Sequence, residues 1–208
     1  MGKNQEKLKN FLLPPGFSSF YPAYCPAGGP GAGRPLRAEG PHYKLARIVE
    51  TWLQLPHRAE FWLAGGNQVG KTLMGQLIAA YTCTQLQEDA VIFAPSIMTA
   101  RSIAQGIGMA LREKFDVHFS SSFLVFLQQG ATLWWRGQSD SQRAQVTSRV
   151  IVVSEVDKIR KRSHDESDPL LQILARTYAY DNAKIFFEST FASSTGPLAR
   201  AKDEADVV

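Results

Sequence analysis

One eight-residue pattern constrains this chain more than any other feature of its sequence. Residues 65–72 match G-x-x-x-x-G-K-[ST] at every fixed position. Glycines let a backbone wrap around an anion, and the helix that follows adds the positive end of its dipole. The lysine of such a loop reaches the β and γ phosphates of a nucleotide, and the final hydroxyl is a ligand for Mg²⁺. The predicted phosphate-binding residues are Gly65, Gly66, Asn67, Gln68, Val69, Gly70, Lys71 and Thr72.

The surroundings of this loop support the same interpretation. A short apolar run at 61–64 predicts a strand directly before the loop, and a helical pattern over 72–86 follows it. Strand and helix then alternate along the chain, which favours an α/β fold with a mainly parallel central sheet flanked by helices. The later predicted elements are strand 90–94, helix 98–114, a hairpin within 122–136, and buried strands at 149–153 and 183–187.

Residues 1–42 differ in composition from the rest of the chain. Seven of the eleven prolines and six of the sixteen glycines lie between Phe11 and Pro41. Proline fixes φ and removes a backbone donor, so the pattern predicts an irregular arm that is neither helix nor central strand. The aromatic residues of the arm, at positions 17, 20, 21 and 24, predict packing along a surface. Residues 43–208 are expected to form one domain that begins with a helix over 43–55.

Charge and composition exclude several classes of protein. The 208 residues carry a net charge of +4, and the block 101–162 holds ten basic and five acidic groups. This excess permits an anionic partner such as DNA without demanding one. The N-terminal apolar run is too short for a signal peptide, and no stretch approaches the ~18 apolar residues of a membrane helix. Cys25 and Cys83 lie too far apart for a CxxC metal or redox motif, so the sequence indicates a reducing cytoplasm and no membrane partner.

A second strand is expected to end in acid beside the phosphate loop. We expect the run 150–157 to be the one apolar strand of this chain that ends in carboxylates, with Glu155 at the place of the catalytic base. The place before it, usually Asp, holds Ser154. Either Ser154 still contacts the water shell of the metal, or the metal site is weakened and hydrolysis is slow or lost. A replacement of the missing acid by Asp157 is less favoured, because residues two apart on a strand, such as Glu155 and Asp157, stand roughly 6.5 Å from each other.

These motifs, in this order, resemble the ATPase domain of large terminase subunits, the motors that package DNA into tailed bacteriophage heads. The resemblance covers about residues 43–198. It includes GGNQVGKT after the strand FWLAG, the strand end FAPS, the hairpin FLVFLQQGATLWWRG, the Walker B-like IVVSEVDKI and the coupling segment KIFFESTFASSTG. The resemblance implies a P-loop NTPase of the RecA/ASCE type that binds and hydrolyses ATP with Mg²⁺.

The resemblance also implies roles for individual residues. Lys71 and Thr72 would bind triphosphate and metal, Ser154 and Glu155 would serve the metal and the attacking water, and Ser189 with Thr190 would sense the γ-phosphate. Arg143 lies where the family often carries an arginine finger for a neighbouring subunit, with Arg101 and Arg149 as rivals. The implied partners are double-stranded DNA, the small terminase subunit, the portal and further copies of the chain in a ring, in the bacterial host cytoplasm.

Two departures keep alternatives open. Large terminases continue into a nuclease domain, which is not expected within these residues. Ser154 in place of Asp permits a nucleotide-binding structural or remnant protein with impaired hydrolysis, and a superfamily 2 helicase-like fragment is a third possibility. If the metal shell is the defect, Ser154→Asp should raise the rate of hydrolysis. Candidate backbone contacts to DNA are Arg112, Lys158, Arg160, Lys161 and Arg162.

Overall fold

A seven-stranded sheet organises the protein. The computed structural model describes residues 16–28, 32–66, 69–137, 146–159, 168–190 and 196–204. The strands are β1 (Ala59–Ala64), β2 (Ala90–Phe93), β3 (Val117–Phe119), β4 (Phe123–Phe126), β5 (Ala131–Arg136), β6 (Val150–Ser154) and β7 (Lys184–Ser189). Their order is β1-β7-β6-β2-β5-β4-β3. The first five in this order pair in parallel, and β4 and β3 pair antiparallel.

The helices cover both faces of this sheet. They are α1 (Phe17–Ala23), α2 (Gly40–Gln54), α3 (Lys71–Tyr81), α4 (Ile97–Leu111), α5 (Pro169–Ala175) and α6 (Pro197–Glu204). Alternate residues of β6 enter two separate cores, Val150 and Val152 on one side and Ile151 and Val153 on the other. All five residues of β6 are buried, as its unbroken apolar run predicts. The predicted α/β fold with a mainly parallel sheet is confirmed.

Some helices and strands differ in type or bounds from those that the sequence predicts. The helix predicted over 72–86 is α3 followed by a π-helical turn at Thr82–Leu86. The predicted hairpin exists as β4 and β5, and Gly130 in its turn has a φ of +66°. The three-residue strand β3 was not predicted. Within the part of the chain that the structure describes, no helix is sufficiently long and apolar to cross a bilayer.

The N-terminal arm contains a helix, so the prediction of a wholly irregular arm is wrong. Helix α1 includes Pro22 as its sixth residue of seven, where proline removes only a bond near the helix end. The rings of Phe17 and Phe20 pack edge-on against Tyr81, with centroids 5.3 and 5.6 Å away. Glu50 of α2 accepts a hydrogen bond from the backbone N–H of Ser18. Aromatic burial and this external cap therefore stabilise a helix that local composition disfavours.

Candidate nucleotide site

The phosphate loop connects the carboxyl end of β1 to the start of α3, as the pattern predicts. Asn67 and Gln68 lie outside the described residues. Gly70 has a φ of +78°, a left-handed conformation that favours glycine. His42 of α2 donates from Nε2 to the Val69 carbonyl oxygen over 2.7 Å. A β-carbon at Gly70 would come within 3.0 Å of the same imidazole. The loop therefore depends on both a glycine and a side chain from the preceding helix.

Lys71 lies folded over the loop and is buried. Its ammonium donates to the carbonyl oxygens of Gly65 and Gly66 over 3.0 and 2.5 Å. It also donates to the Thr190 hydroxyl over 3.2 Å. Lys71 thus joins the loop to the strand end at β7. Two of its three partners are loop carbonyls, and an anionic ligand would compete with them for the ammonium.

A buried carboxylate that the sequence does not predict lies beside Thr72. Glu188, the fifth residue of β7, accepts hydrogen bonds at Oε1 from Thr72 Oγ1 over 3.0 Å and from Ser154 Oγ. The expectation that 150–157 is the one apolar strand ending in carboxylates is therefore wrong. The predicted strand at 183–187 stopped one residue short of Glu188. The sequence does contain a signal, because Glu188 directly precedes the pair Ser189-Thr190.

Glu155 follows β6 directly and has an unusual backbone. Its φ of 53° is one of two positive values among the non-glycine residues that the structure describes. Such a conformation costs of order 1–3 kcal/mol in many cases and often marks a functional site. Its carboxylate pairs with Lys158 Nζ over 2.9 Å, and its side chain is 38% exposed. Glu155 is therefore accessible to water at the strand end that also carries Ser154.

The Ser-Thr pair at the end of β7 connects the phosphate loop to the segment after β6. Thr190 accepts the bond from Lys71, whereas the Ser189 hydroxyl lies 3.4 Å from the Asp157 backbone N–H. The Asp157 carboxylate accepts from the Leu198 N–H at the start of α6 over 2.9 Å. Asp157 therefore caps α6 and is not available as a replacement for the acid at position 154.

The three candidate arginine fingers lie in different parts of the chain, and the structure describes two of them. Arg143 lies outside the described residues. Arg149 precedes β6 at the amino end of the sheet, where its Nε pairs with Glu88 over 2.5 Å. This ion pair lies at the sheet edge opposite the phosphate loop. Arg101 lies in the first half of α4, and its buried Nε has no hydrogen-bond partner among the described residues.

A cavity opens beside the phosphate loop. It has a volume of about 740 Å³, which falls in the range of small-molecule sites. The N-terminal segment contributes Tyr21, Leu36 and Arg37, and the loop side contributes Lys71 and Thr72. The Tyr21 phenol is held neutral, because burial raises its pKa. The cavity is thus continuous with the lysine and threonine of the loop, and the aromatic arm forms one of its walls.

The residues at this edge fit a magnesium ion bound with a nucleotide. Mg²⁺ prefers oxygen ligands and is typically held by one or two protein groups plus substrate phosphates and water. Thr72, Ser154 and Glu188 bring two hydroxyls and one carboxylate together at a single oxygen atom. Groups of three or more His, Cys, Asp or Glu that would hold a metal by themselves are absent from the described ranges. The set therefore suits a metal that arrives with a phosphate ligand.

The fold and this site define a P-loop nucleotide-binding domain. Residues 50–207 match the family model described as the phage terminase large subunit gpA, ATPase domain. That stretch is most of the chain, and the chain belongs to this family. The resemblance seen in the sequence is confirmed. No curated protein sequence matches the chain.

Solved structures of other phage proteins share the fold. The large terminase of bacteriophage HK97 is 16% identical and superposes with a TM-score of 0.72, over 91% of this chain and 41% of that protein. The large terminase of the thermophilic bacteriophage D6E, in complex with ATP-gamma-S, is 16% identical with a TM-score of 0.51, over 67% of this chain and 35% of that one. The N-terminal domain of the phi29 DNA packaging ATPase gives 11% identity and a TM-score of 0.56, over 76% and 84% of the two chains. This chain thus spans about two fifths of the HK97 protein.

Proposed function

We propose that this chain hydrolyses ATP and uses the energy to move double-stranded DNA during phage genome packaging. The observation that carries the proposal is that two hydrogen-bonded sets, Lys71 with Thr190 and Glu188 with Thr72 and Ser154, lie at one edge of a parallel sheet. Membership of the terminase ATPase family supplies the reaction class. Open parallel sheets bind ligands at the carboxyl ends of their strands, where these residues lie.

The chemistry follows from the position of each side chain. Lys71 exchanges its carbonyl partners for β and γ phosphate oxygens and neutralises their charge. Thr72 and Glu188, the carboxylate in contact with it, would hold Mg²⁺, which would stabilise charge on the transferred phosphoryl group. Glu155, partly exposed and directly after β6, orients and deprotonates the attacking water. Ser189 and Thr190 respond to loss of the γ-phosphate, because Thr190 shares its donor with the phosphates.

In this proposal, the nucleoside part of ATP occupies the cavity beside the phosphate loop. The lining combines an aromatic wall from Tyr21 with charged and polar groups from Arg37, His42 and Gln76. A flat base favours an apolar or aromatic wall with a few polar contacts that fix its orientation. This placement gives the N-terminal arm a direct part in ligand binding.

The partners follow from the proposed packaging function. Double-stranded DNA would contact basic side chains such as Arg112 and Lys158 through its phosphates, without reading base sequence. The small terminase subunit, the portal and a ring of identical subunits complete the proposed motor in the host cytoplasm. Arg143 is proposed as the residue that reaches the site of a neighbouring subunit.

The test is ATP turnover measured with and without double-stranded DNA, for the wild type and for Lys71→Ala. We expect turnover that DNA stimulates in the wild type and no turnover in the variant, because the ammonium has no substitute at the phosphates. His57→Ala, an exposed change at the opposite end of the sheet, is the control. Unchanged turnover in the Lys71 variant would show that phosphate is released elsewhere.

A second candidate function is supported by Ser154, which replaces the expected acid. In this alternative the chain binds nucleotide and assembles with its partners but hydrolyses ATP slowly or not at all. Tight, Mg²⁺-dependent binding of ATP without phosphate release at any Mg²⁺ concentration would favour it over the motor.

A further inference from the structure

The acidic group of the metal site lies on a different strand from the one where the motif places it. A phosphate loop of this type holds Mg²⁺ with its Ser/Thr hydroxyl and an acid from a neighbouring strand. The motif position on β6 holds Ser154, which has no charge. We propose that Glu188 of β7 is this acidic metal-site residue, positioned by the Ser154 hydroxyl. The inference rests on the proposed function, because it presupposes a nucleotide bound with Mg²⁺.

The sheet register places Glu188 at the required position. Strand β7 lies between β1, which leads into the phosphate loop, and β6. Glu188 is the register partner of Leu63 on one side and of Ser154 on the other. Neighbouring strands are about 4.8 Å apart. The side chain of a glutamate is one methylene longer than that of an aspartate, and together with a hydrogen bond it spans this distance. A glutamate on β7 thus occupies the place that an aspartate at position 154 would fill from β6.

The hydrogen bonds of Glu188 identify it as a ligand group more than a structural one. Oε1 accepts from Thr72 and from Ser154, and both donors are neutral hydroxyls. Among the residues that the structure describes, no lysine or arginine forms an ion pair with this buried carboxylate. A buried carboxylate without a cation is costly. A hard divalent cation at the Thr72 hydroxyl supplies the missing charge.

The same geometry reverses the expectation for Ser154→Asp. If position 154 were simply a lost ligand, aspartate there would restore it and raise the rate. With Glu188 in contact with Ser154, the new carboxylate meets a second negative charge within hydrogen-bond distance. Like charges so close disfavour each other. The single variant should therefore bind Mg²⁺ no better and unfold more readily, whereas Ser154→Asp combined with Glu188→Gln moves the acid back to β6.

The test is equilibrium binding of a fluorescent, non-hydrolysable ATP analogue titrated with Mg²⁺. In Glu188→Gln, which keeps size and loses charge, we expect the Mg²⁺ midpoint to rise at least about tenfold, the usual scale for groups that tune a metal site. Binding of the analogue in EDTA should stay unchanged, since Lys71 is intact. The double variant should recover most of the midpoint shift. Glu113→Gln, the same chemical change at an exposed position, is the matched control.

The outcomes separate this inference from the proposed function. A wild type that binds no analogue overturns the proposed function, and the inference falls with it. A wild type with Mg²⁺-dependent binding and a Glu188→Gln midpoint equal to that of the control overturns the inference alone. Circular dichroism and thermal melts establish folding. Failure of both Glu188 variants to fold also counts against the inference, because it would assign the carboxylate a structural role.

Discussion

The two edges of the sheet both carry charged side chains that are buried or partly buried, but the partners of these side chains differ. At the amino edge, Lys184 donates to the carbonyl oxygens of His57 and Asn182 over 2.7 and 2.8 Å, and Arg149 pairs with Glu88. Those partners are groups of the folded chain itself. At the carboxyl edge, Lys71 donates to two loop carbonyls, and Glu188 accepts from two hydroxyls and forms no ion pair with a lysine or arginine of the described ranges.

This difference indicates at which edge of the sheet a ligand would bind. The charges of the amino edge have permanent partners and stabilise one structure. Those of the carboxyl edge have partners that a phosphate and a divalent cation can replace with stronger, charge-assisted bonds. Substitutions at the carboxyl edge should therefore change nucleotide chemistry, and substitutions at the amino edge should change stability.

Glu155→Gln should have the largest effect of the four changes considered next. The amide cannot accept a proton, so turnover of ATP should fall by about 10²- to 10⁴-fold while nucleotide affinity is retained. Steady-state phosphate release and equilibrium binding measure the two quantities. Glu113→Gln controls for the loss of one negative charge. Turnover within about twofold of the wild type would remove Glu155 from the mechanism.

Thr190→Val should have a smaller effect at the same edge. The change keeps the shape of the side chain but removes the hydroxyl that accepts from Lys71. One such hydrogen bond is worth about 0.5–1.5 kcal/mol, so turnover at saturating ATP should fall about two- to tenfold. Single-turnover phosphate release measures it. If Thr190→Val and the wild type release phosphate equally fast, the β7 strand end does not sense the nucleotide.

His42→Ala should weaken nucleotide binding without changing the chemical step. The hydrogen bond from the imidazole to the Val69 carbonyl oxygen fixes the loop before the ligand binds. Because the His42 side chain is exposed, this bond should be worth about 0.5 kcal/mol, and its loss should lower the affinity for nucleotide about twofold. Binding of the ATP analogue measures it. His57→Ala, an exposed histidine near the amino edge, is the matched control. Equal affinities for the two variants would show that the loop needs no help from α2.

Lys184→Met should have the smallest effect on nucleotide binding and turnover, because it changes stability instead. Burial, with a further contribution from Arg149, lowers the pKa of Lys184 to about 8 from 10.5. Between these values the unfolded chain binds more protons than the folded one, so this group adds stability as the pH rises. The stability of the wild type relative to the variant should therefore increase from about pH 8 to pH 10.5. Urea unfolding at several pH values measures it, and a constant difference would contradict the assigned cause.

Most of the fold was predictable because its signals are local. The phosphate loop, the alternation of strands and helices, and the buried run at β6 each depend on residues close in sequence. Helix α1 was not predictable in this way, since its stability comes from Tyr81 and Glu50, which lie far along the chain. The strand β3 is too short for its alternation to stand out.

The candidate site was predictable only where one motif contains it. Lys71 and Thr72 follow from the loop pattern alone. Glu188 required the register between β6 and β7, which places it opposite Ser154 and which no periodicity in either strand specifies. The sequence shows that an acid is missing from one strand and present on another, but only the pairing of the strands shows that the two positions touch.

The capping of α6 by Asp157 has a mechanical consequence. Asp157 connects the segment after β6 to the Ser189 hydroxyl through its backbone and to the first turn of α6 through its carboxylate. A small shift at the end of either strand would therefore tilt a rod of eight residues, about 12 Å long. Because the far end of a rod travels further than its pivot, α6 would enlarge a displacement that begins at either strand end.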